Sequence, residues 1–405
     1  MSRQRCGATK LDGLLAPEGW PYASSLPTDA RDPGRFHALF GRDSLITSLQ
    51  ILPLRPDVAR ATVRALAKLQ GKRTDPGTLE EPGKIIHEYR VKADADLQAR
   101  GFPVRGGQLR YFASADSTSW FLVLLASIGD VALEQELGRA WVHAGEWVLA
   151  ALSRGGGLVR HTPAAGGGLV QQGWRDAVDP TDASGGGIVD AYGKVPAAPL
   201  ADVETQAVTT VALRALSVMS GHDSFFRESV ALGHRIAKRF DANVIAIDAL
   251  GAPVRGAGSH LGWLLWADCL PSDAARMVAT RLITPDILTP WGLRTLSDQH
   301  PAFDPRAYHR GTVWPFDSWI GWGGLRACGY IGEAEKVRIG VLSALEQMGS
   351  APELYEVYDS GPRRSPLANQ VQAWTMCAKW ALEAKWDGRS SRLFAPSASS
   401  PTVSE

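Results

Sequence analysis

Cysteine is scarce in this 405-residue chain: Cys6, Cys269, Cys328 and Cys377 are far apart, with no CxxC and no short Cys/His spacing. That excludes a sequence-legible zinc site or disulfide framework and fits a reducing compartment. Long apolar runs are also missing, the cleanest being Trp120 to Ala126, far too short to cross a bilayer. The start, MSRQRCGATKLDG, is basic but has no apolar h-region, so a cytoplasmic protein is expected. Charge of one sign is not in excess: 43 Lys and Arg against 42 Asp and Glu leave a net +1, which offers no footprint for nucleic acid or an anionic membrane. Neutral or small partners are favoured, and the oligomeric state is not legible. No HExxH, P-loop or GxSxG occurs, which argues against metal, nucleotide and serine-hydrolase chemistry.

What is present is ample core material, with 45% hydrophobic residues and fourteen Trp beside eleven Phe and eight Tyr. Indole faces suit sugar rings as well as cores. Apolar residues recur at helical spacing, and the alternation of strands is rare. The pattern predicts helical hairpins: 43–52 with 56–70, 116–128 with 132–153, 202–219 with 224–240, 259–267 with 272–283, and 314–328 with 332–348. An eleventh helix over 368–384 opens a sixth hairpin. The first turn of every odd-numbered helix is polar: Asp43, Asp116, Glu204, Ser259 with His260, Asp317 and Gln372. Hairpins arranged in a ring would bring these ends together into a polar, aromatic funnel, so an all-α toroid of six hairpins is expected. Ordinary N-capping is the competing explanation, since Asp and Ser supply it everywhere. Long loops at 155–187 and 292–311 carry aromatic and charged residues, as functional loops do. The expected organisation is an N-terminal extension over 1–35, one catalytic domain over 36–387, and a disordered Ser/Pro-rich tail over 388–405.

Two carboxylate-bearing breaks between helices stand out. In Gln171-Gln-Gly-Trp-Arg-Asp176, an Asp near an indole can keep its proton near neutrality, because desolvation disfavours the anion. Asp176 is therefore a candidate general acid, although on spacing alone capping of a turn before Pro180 by Asp176 and Asp179 is the better explanation. The segment Pro352-Glu-Leu-Tyr-Glu-Val-Tyr-Asp359 offers Glu353 and Glu356 as bases to activate water. Glycoside hydrolysis uses such a pair, separated by about 6.5–9.5 Å in inverting enzymes. His87 and His309 are candidate acid/base or sugar-binding groups.

Nine phrases in order from about residue 36 to 380 resemble the amylo-α-1,6-glucosidase (glycogen debranching) family of six-hairpin glycosidases. They include Phe40-Gly-Arg-Asp-Ser-Leu45, Glu81-Pro-Gly-Lys-Ile-Ile-His-Glu88, Ser114-Ala-Asp-Ser-Thr118, Gly173-Trp-Arg-Asp176, Val203-Glu-Thr-Gln206, Tyr308-His-Arg-Gly-Thr-Val-Trp-Pro315 and Gln372-Ala-Trp374. The resemblance implies an (α/α)6 barrel that hydrolyses an α-glycoside with inversion, without metal or cofactor. It places the acid on Asp176 and the base on Glu356, with Glu353 in reserve. Substrate-binding positions fall on Arg42, Asp43, His87, Glu88, Asp116, Trp174, Glu204, Gln206, Tyr308, His309, Trp314 and Gln372. An α-glucosidase is the first expectation. The compact domain also resembles hydrolases of small glycosides such as glucosylglycerate and mannosylglycerate. From another class, a sugar epimerase on a similar toroid would use His87, His260 and His309. A sugar-binding module without catalysis ranks last, since both carboxylates are present.

Overall fold

The computed structural model describes residues 11–26 and 35–394. Cys6 and the tail beyond residue 394 lie outside the described residues. The chain is rich in helix: α1 (Gly41–Gln50), α2 (Pro56–Leu69), α3 (Ala95–Ala99), α4 (Ser117–Ile128), α5 (Val131–Glu136), α6 (Gly138–Arg154), α7 (Val203–Ser220) and α8 (Asp223–Arg239). Then follow α9 (His260–Trp266), α10 (Ser272–Leu282), α11 (Pro315–Ala327), α12 (Ile331–Met348), α13 (Ala373–Ala384) and α14 (Ser391–Phe394). All eleven expected helices are present. The segment expected as one helix over 132–153 is two, because Leu137 ends α5 and precedes α6. The helix expected from Ala368 begins only at Ala373, after Gln372 in an extended conformation.

Two kinds of helix alternate along the chain. Every residue of α1 and α9 is buried, as are most of α4, α7, α11 and α13. By contrast α2, α6, α8, α10 and α12 bury one stripe and expose the other, the pattern of a helix with one wet face. Each half-exposed helix packs on the buried one before it, while α1 packs on α4, α4 on α7, α7 on α9, α9 on α11, α11 on α13, and α13 back on α1. The cycle of buried helices therefore closes on itself. Two glycines permit a close crossing: a Cβ at Gly262 of α9 would stand 2.5 Å from the Cα of Gly321 in α11.

Short strands join the helices at the loop end, which is where the expectation of scarce strand structure needs correcting. Strands β1 (Leu39–Phe40), β2 (Glu88–Arg90), β3 (Val104–Arg105) and β4 (Gln108–Tyr111) form one antiparallel sheet in the order β1-β2-β4-β3. β5 (Ala201–Asp202), β6 (Val244–Ile247) and β7 (Pro253–Arg255) form a second, and two hairpins pair β8 (Leu288–Thr289) with β9 (Gly292–Leu293) and β10 (Tyr355–Tyr358) with β11 (Gly361–Arg364). At two to four residues each, these strands are too short for alternation to show in sequence.

Both ends of the described chain dock on the helices. Leu11 and Leu14 are buried with Ile51, Val58, Ala373 and Cys377. Of the tail expected to be disordered from 388, the described part packs on the helices: Ser391–Phe394 form α14, Leu393 is buried and Arg392 pairs with Glu134. Among the described residues, no helix is long and apolar enough to cross a membrane.

Candidate active site

A cavity of about 370 Å³ opens at the loop end of the helix cycle. Sheet pairing supplies one wall: Phe40 of β1 pairs with Glu88 of β2, which places Arg42 and Asp43 at the start of α1 beside His87 and Glu88. The long glycine-rich loop supplies the floor. An antiparallel bridge between Gln171 and Ala177 closes a tight turn with Gly173-Trp174-Arg175-Asp176 at its tip. Gly173 is required there, since a Cβ would lie 2.8 Å from the carboxyl carbon of Asp202. The third wall comes from the loop before α11, tied to β10 by the pairing of Val313 with Tyr355, which brings Tyr308, His309 and Trp314 against Glu353.

The cavity gathers ten of the expected site residues: Arg42, Asp43, His87, Glu88, Trp174, Asp176, Tyr308, His309, Trp314 and Glu353. It does not gather Asp116, Glu204, Gln206, Gln372 or Glu356, and the reasons are physical. Asp116 stands behind Arg42, accepting from its Nε at 2.7 Å. Glu204 lies beneath the turn, accepting from Trp174 Nε1 at 2.7 Å and Arg175 Nε at 2.9 Å. Gln206 is spent on the backbone of Val159 and Asp202. Gln372 is fully buried and accepts from Asn369 Nδ2. Glu356 sits in β10 opposite Arg363 and accepts from the Tyr358 hydroxyl at 2.8 Å. The polar first turns of the buried helices thus do not all reach an open funnel. The loop carrying Trp174 and Arg175 fills its centre, and Glu204, Ser259, His260 and Asp317 become buried groups behind it.

Burial raises four carboxyls of the cavity: Asp43, Glu88, Asp176 and Glu353. Burial raises the Asp176 carboxyl above its usual range, while Arg42, whose Nη1 donates to Oδ2 at 2.8 Å, pulls it back. Burial pushes Glu353 up to about 8, opposed by the Tyr308 hydroxyl, which donates to Oε1 at 2.7 Å. Burial and the neighbouring Glu353 carboxyl push the Tyr308 hydroxyl well above its usual value. Asp43 is a third carboxyl, raised by burial to about 7. Both His87 and His309 are driven well below 6.5 by burial and are neutral at pH 7. Gly187 N–H donates to His309 Nδ1 at 2.9 Å, which leaves the ring proton on Nε2.

The floor is aromatic. Trp174 meets Trp314 edge-on at 5.4 Å, His309 stacks on Trp314 at 5.2 Å, and Phe316 stacks on Trp374 at 4.0 Å. Sequence reasoning missed Arg35, Arg90 and Arg100, which also line the cavity. Their signal is weak, for isolated arginines outside any motif look like ordinary surface residues.

Residues 196–374 match the family model of the mannosylglycerate hydrolase MGH1-like glycoside hydrolase domain. With the cavity above, this defines the class: the protein is a glycoside hydrolase. No curated protein sequence matches the chain. Among solved structures, the chain is similar to the GH63 mannosylglycerate hydrolase from Thermus thermophilus in complex with Tris and D-glycerate, with 14% identity, a TM-score of 0.68, and 94% of this chain and 99% of that one covered. The same hydrolase in complex with glucose gives 14% identity and a TM-score of 0.65 over 94% of this chain and 98% of that one. A structure described as a wild-type glycosidase gives 14% identity and a TM-score of 0.59 over 95% and 96%. At such identities the likeness is one of fold.

Proposed function

We propose that the protein is an inverting α-glycosidase built on an (α/α)6 barrel, acting on a small glycoside whose aglycone carries a carboxylate, as mannosylglycerate and glucosylglycerate do. The closed cycle of six buried helices supports the barrel. The observation that carries the reaction is that Asp176 and Glu353 line one cavity, Asp176 held by Arg42 and Glu353 by Tyr308. Glu353 is the base in this reading rather than Glu356, which does not line the cavity.

In the reaction, the protonated Asp176 carboxyl gives its proton to the glycosidic oxygen as the C1–O bond breaks. Arg42 holds Oδ2, so Oδ1 is the atom left to present that proton. Glu353 takes a proton from a water whose oxygen forms the new bond to C1 from the opposite face. The free sugar leaves with inverted configuration, the aglycone leaves as an alcohol, and each carboxyl recovers its starting state by exchange with solvent. The neutral His309 and the adjacent Arg42 and Asp43 offer donors and acceptors to vicinal hydroxyls.

The substrate reading rests on two features. The family description names a mannosylglycerate hydrolase, which favours a small glycoside over glucan debranching. Arg35, Arg90 and Arg100 line the cavity, and a guanidinium pairs with a carboxylate through parallel hydrogen bonds. Arg90 is held by Glu88, while the charge of Arg100 lies over the Phe102 ring at 5.7 Å. The test is kcat/KM on α-mannosylglycerate and α-glucosylglycerate, their methyl esters, isomaltose and branched dextrin. A free acid should be preferred to its ester, and Arg100→Ala should raise KM for the acid while leaving the ester unaffected. Preference for isomaltose or dextrin would overturn the substrate assignment.

A further inference from the structure

We propose that Arg175 is a positioning residue for the general acid, acting through the turn that carries Asp176 and never touching the substrate; the inference rests on the reading of Asp176 as the acid. Arg175 does not line the cavity, and its guanidinium is 3% exposed. A cation so deeply buried must be fully paired to be tolerated. Nε donates to Glu204 Oε1 at 2.9 Å, and Nη1 donates to the carbonyl oxygens of Thr295 at 2.7 Å and His309 at 3.0 Å. The guanidinium also lies 4.9 Å from the centre of the Trp174 ring.

These partners belong to three separate parts of the fold: the first turn of α7, the loop after β9, and the segment that carries His309 into the cavity. One rigid fork therefore joins the acid turn to the wall that carries His309 and to the framework behind the cavity. The same Glu204 oxygen takes the Trp174 indole N–H, so one carboxylate oxygen fixes two consecutive residues directly before Asp176. From the other side, Arg42 Nη2 donates to the Gly173 carbonyl at 2.7 Å. The backbone from Gly173 to Arg175 is thus pinned on both sides, and Asp176 is the first residue beyond the pins. A lysine could supply the charge but only a compact ammonium, and not a planar fork reaching a carboxylate and two carbonyls together.

The consequence concerns proton transfer in particular. Displacing a reacting group by about 1 Å can cost on the order of 10²-fold in rate. If Arg175 places the acid, its loss should hurt substrates whose leaving oxygen needs a proton and should spare one that leaves unaided. The experiment compares Arg175→Met and Arg175→Lys with the parental enzyme on α-mannosylglycerate and on α-mannosyl fluoride, recording kcat, KM and pH dependence. The lysine variant retains the charge, so it serves if truncation disturbs folding, and circular dichroism checks both.

The expected result for both variants is a fall in kcat on the glycoside of about 10²-fold with little change in KM, near-parental turnover of the fluoride, and a displaced limb in the pH profile on the glycoside. Equal losses on both substrates, or losses confined to thermal stability with kcat and pH profile intact, would overturn the proposal. Asp176→Asn provides the separate control. If it hydrolyses the glycoside at the parental rate, the acid assignment itself is wrong, whereas a dead Asp176→Asn beside a fully active Arg175→Met refutes only the role of Arg175.

Discussion

Asp176 and Glu353 face the same physical pressure, burial, and are held by different hands: a guanidinium for the first and a phenol and a backbone amide for the second. Replacing either group by its amide keeps shape and removes the proton chemistry. Asp176→Asn and Glu353→Gln should each lower kcat by between about 10²- and 10⁴-fold while substrate binding, measured by calorimetry, persists. Glu356→Gln should stay near the parental rate in the same assay. The pH dependence follows from signs. The acid works only while protonated, so activity falls as pH rises through its ionisation. The base works only as the anion, so activity falls as pH drops through its own. Burial raises both above the ordinary value near 4, and Glu353 reaches about 8. The profile of kcat/KM should therefore be a bell with one limb near 8 and an optimum well above pH 4, whichever carboxyl carries which limb. An optimum at or below about 4.5 would contradict the burial of the pair. At this scale the sequence made Asp176 a candidate, because the turn Gly-Trp-Arg-Asp is local, and Asp176 does line the cavity. It ranked Glu356 ahead of Glu353, since the two stand only three positions apart, and only the pairing of β10 with β11 and Val313 puts Glu353, not Glu356, against the cavity.

At the level of elements, the helices were legible because the 3.6-residue period repeats over ten residues or more in every hairpin helix except α5 and α9. The four small sheets were not, yet they place the cavity walls. The polar first turns were misread in part for the same reason: the fate of Glu204 depends on a loop thirty residues away in sequence, whose tip inserts between the helix ends. Helix contacts give their own prediction. A Cβ at Gly262 would collide with α11 at Gly321, and that contact is backbone, which cannot swing aside. Gly262→Ala should cost about 1–3 kcal/mol, read as a lower urea midpoint with an unchanged slope. An unchanged midpoint would show that α9 and α11 have room to part.

For the whole molecule, near-neutral charge, a closed cycle of helices and a small cavity lined by Arg35, Arg90 and Arg100 fit a catalyst for small soluble glycosides better than one for polymers. The cytoplasmic setting is an expectation from sequence alone. The account stands on two carboxyls working from opposite sides of a sugar, and stereochemistry reports that directly. Proton NMR of α-mannosylglycerate or α-glucosylglycerate, followed from the first seconds of turnover, reads which anomer of the sugar is released before mutarotation. The β-anomer appearing first is the predicted result; the α-anomer appearing first would contradict it.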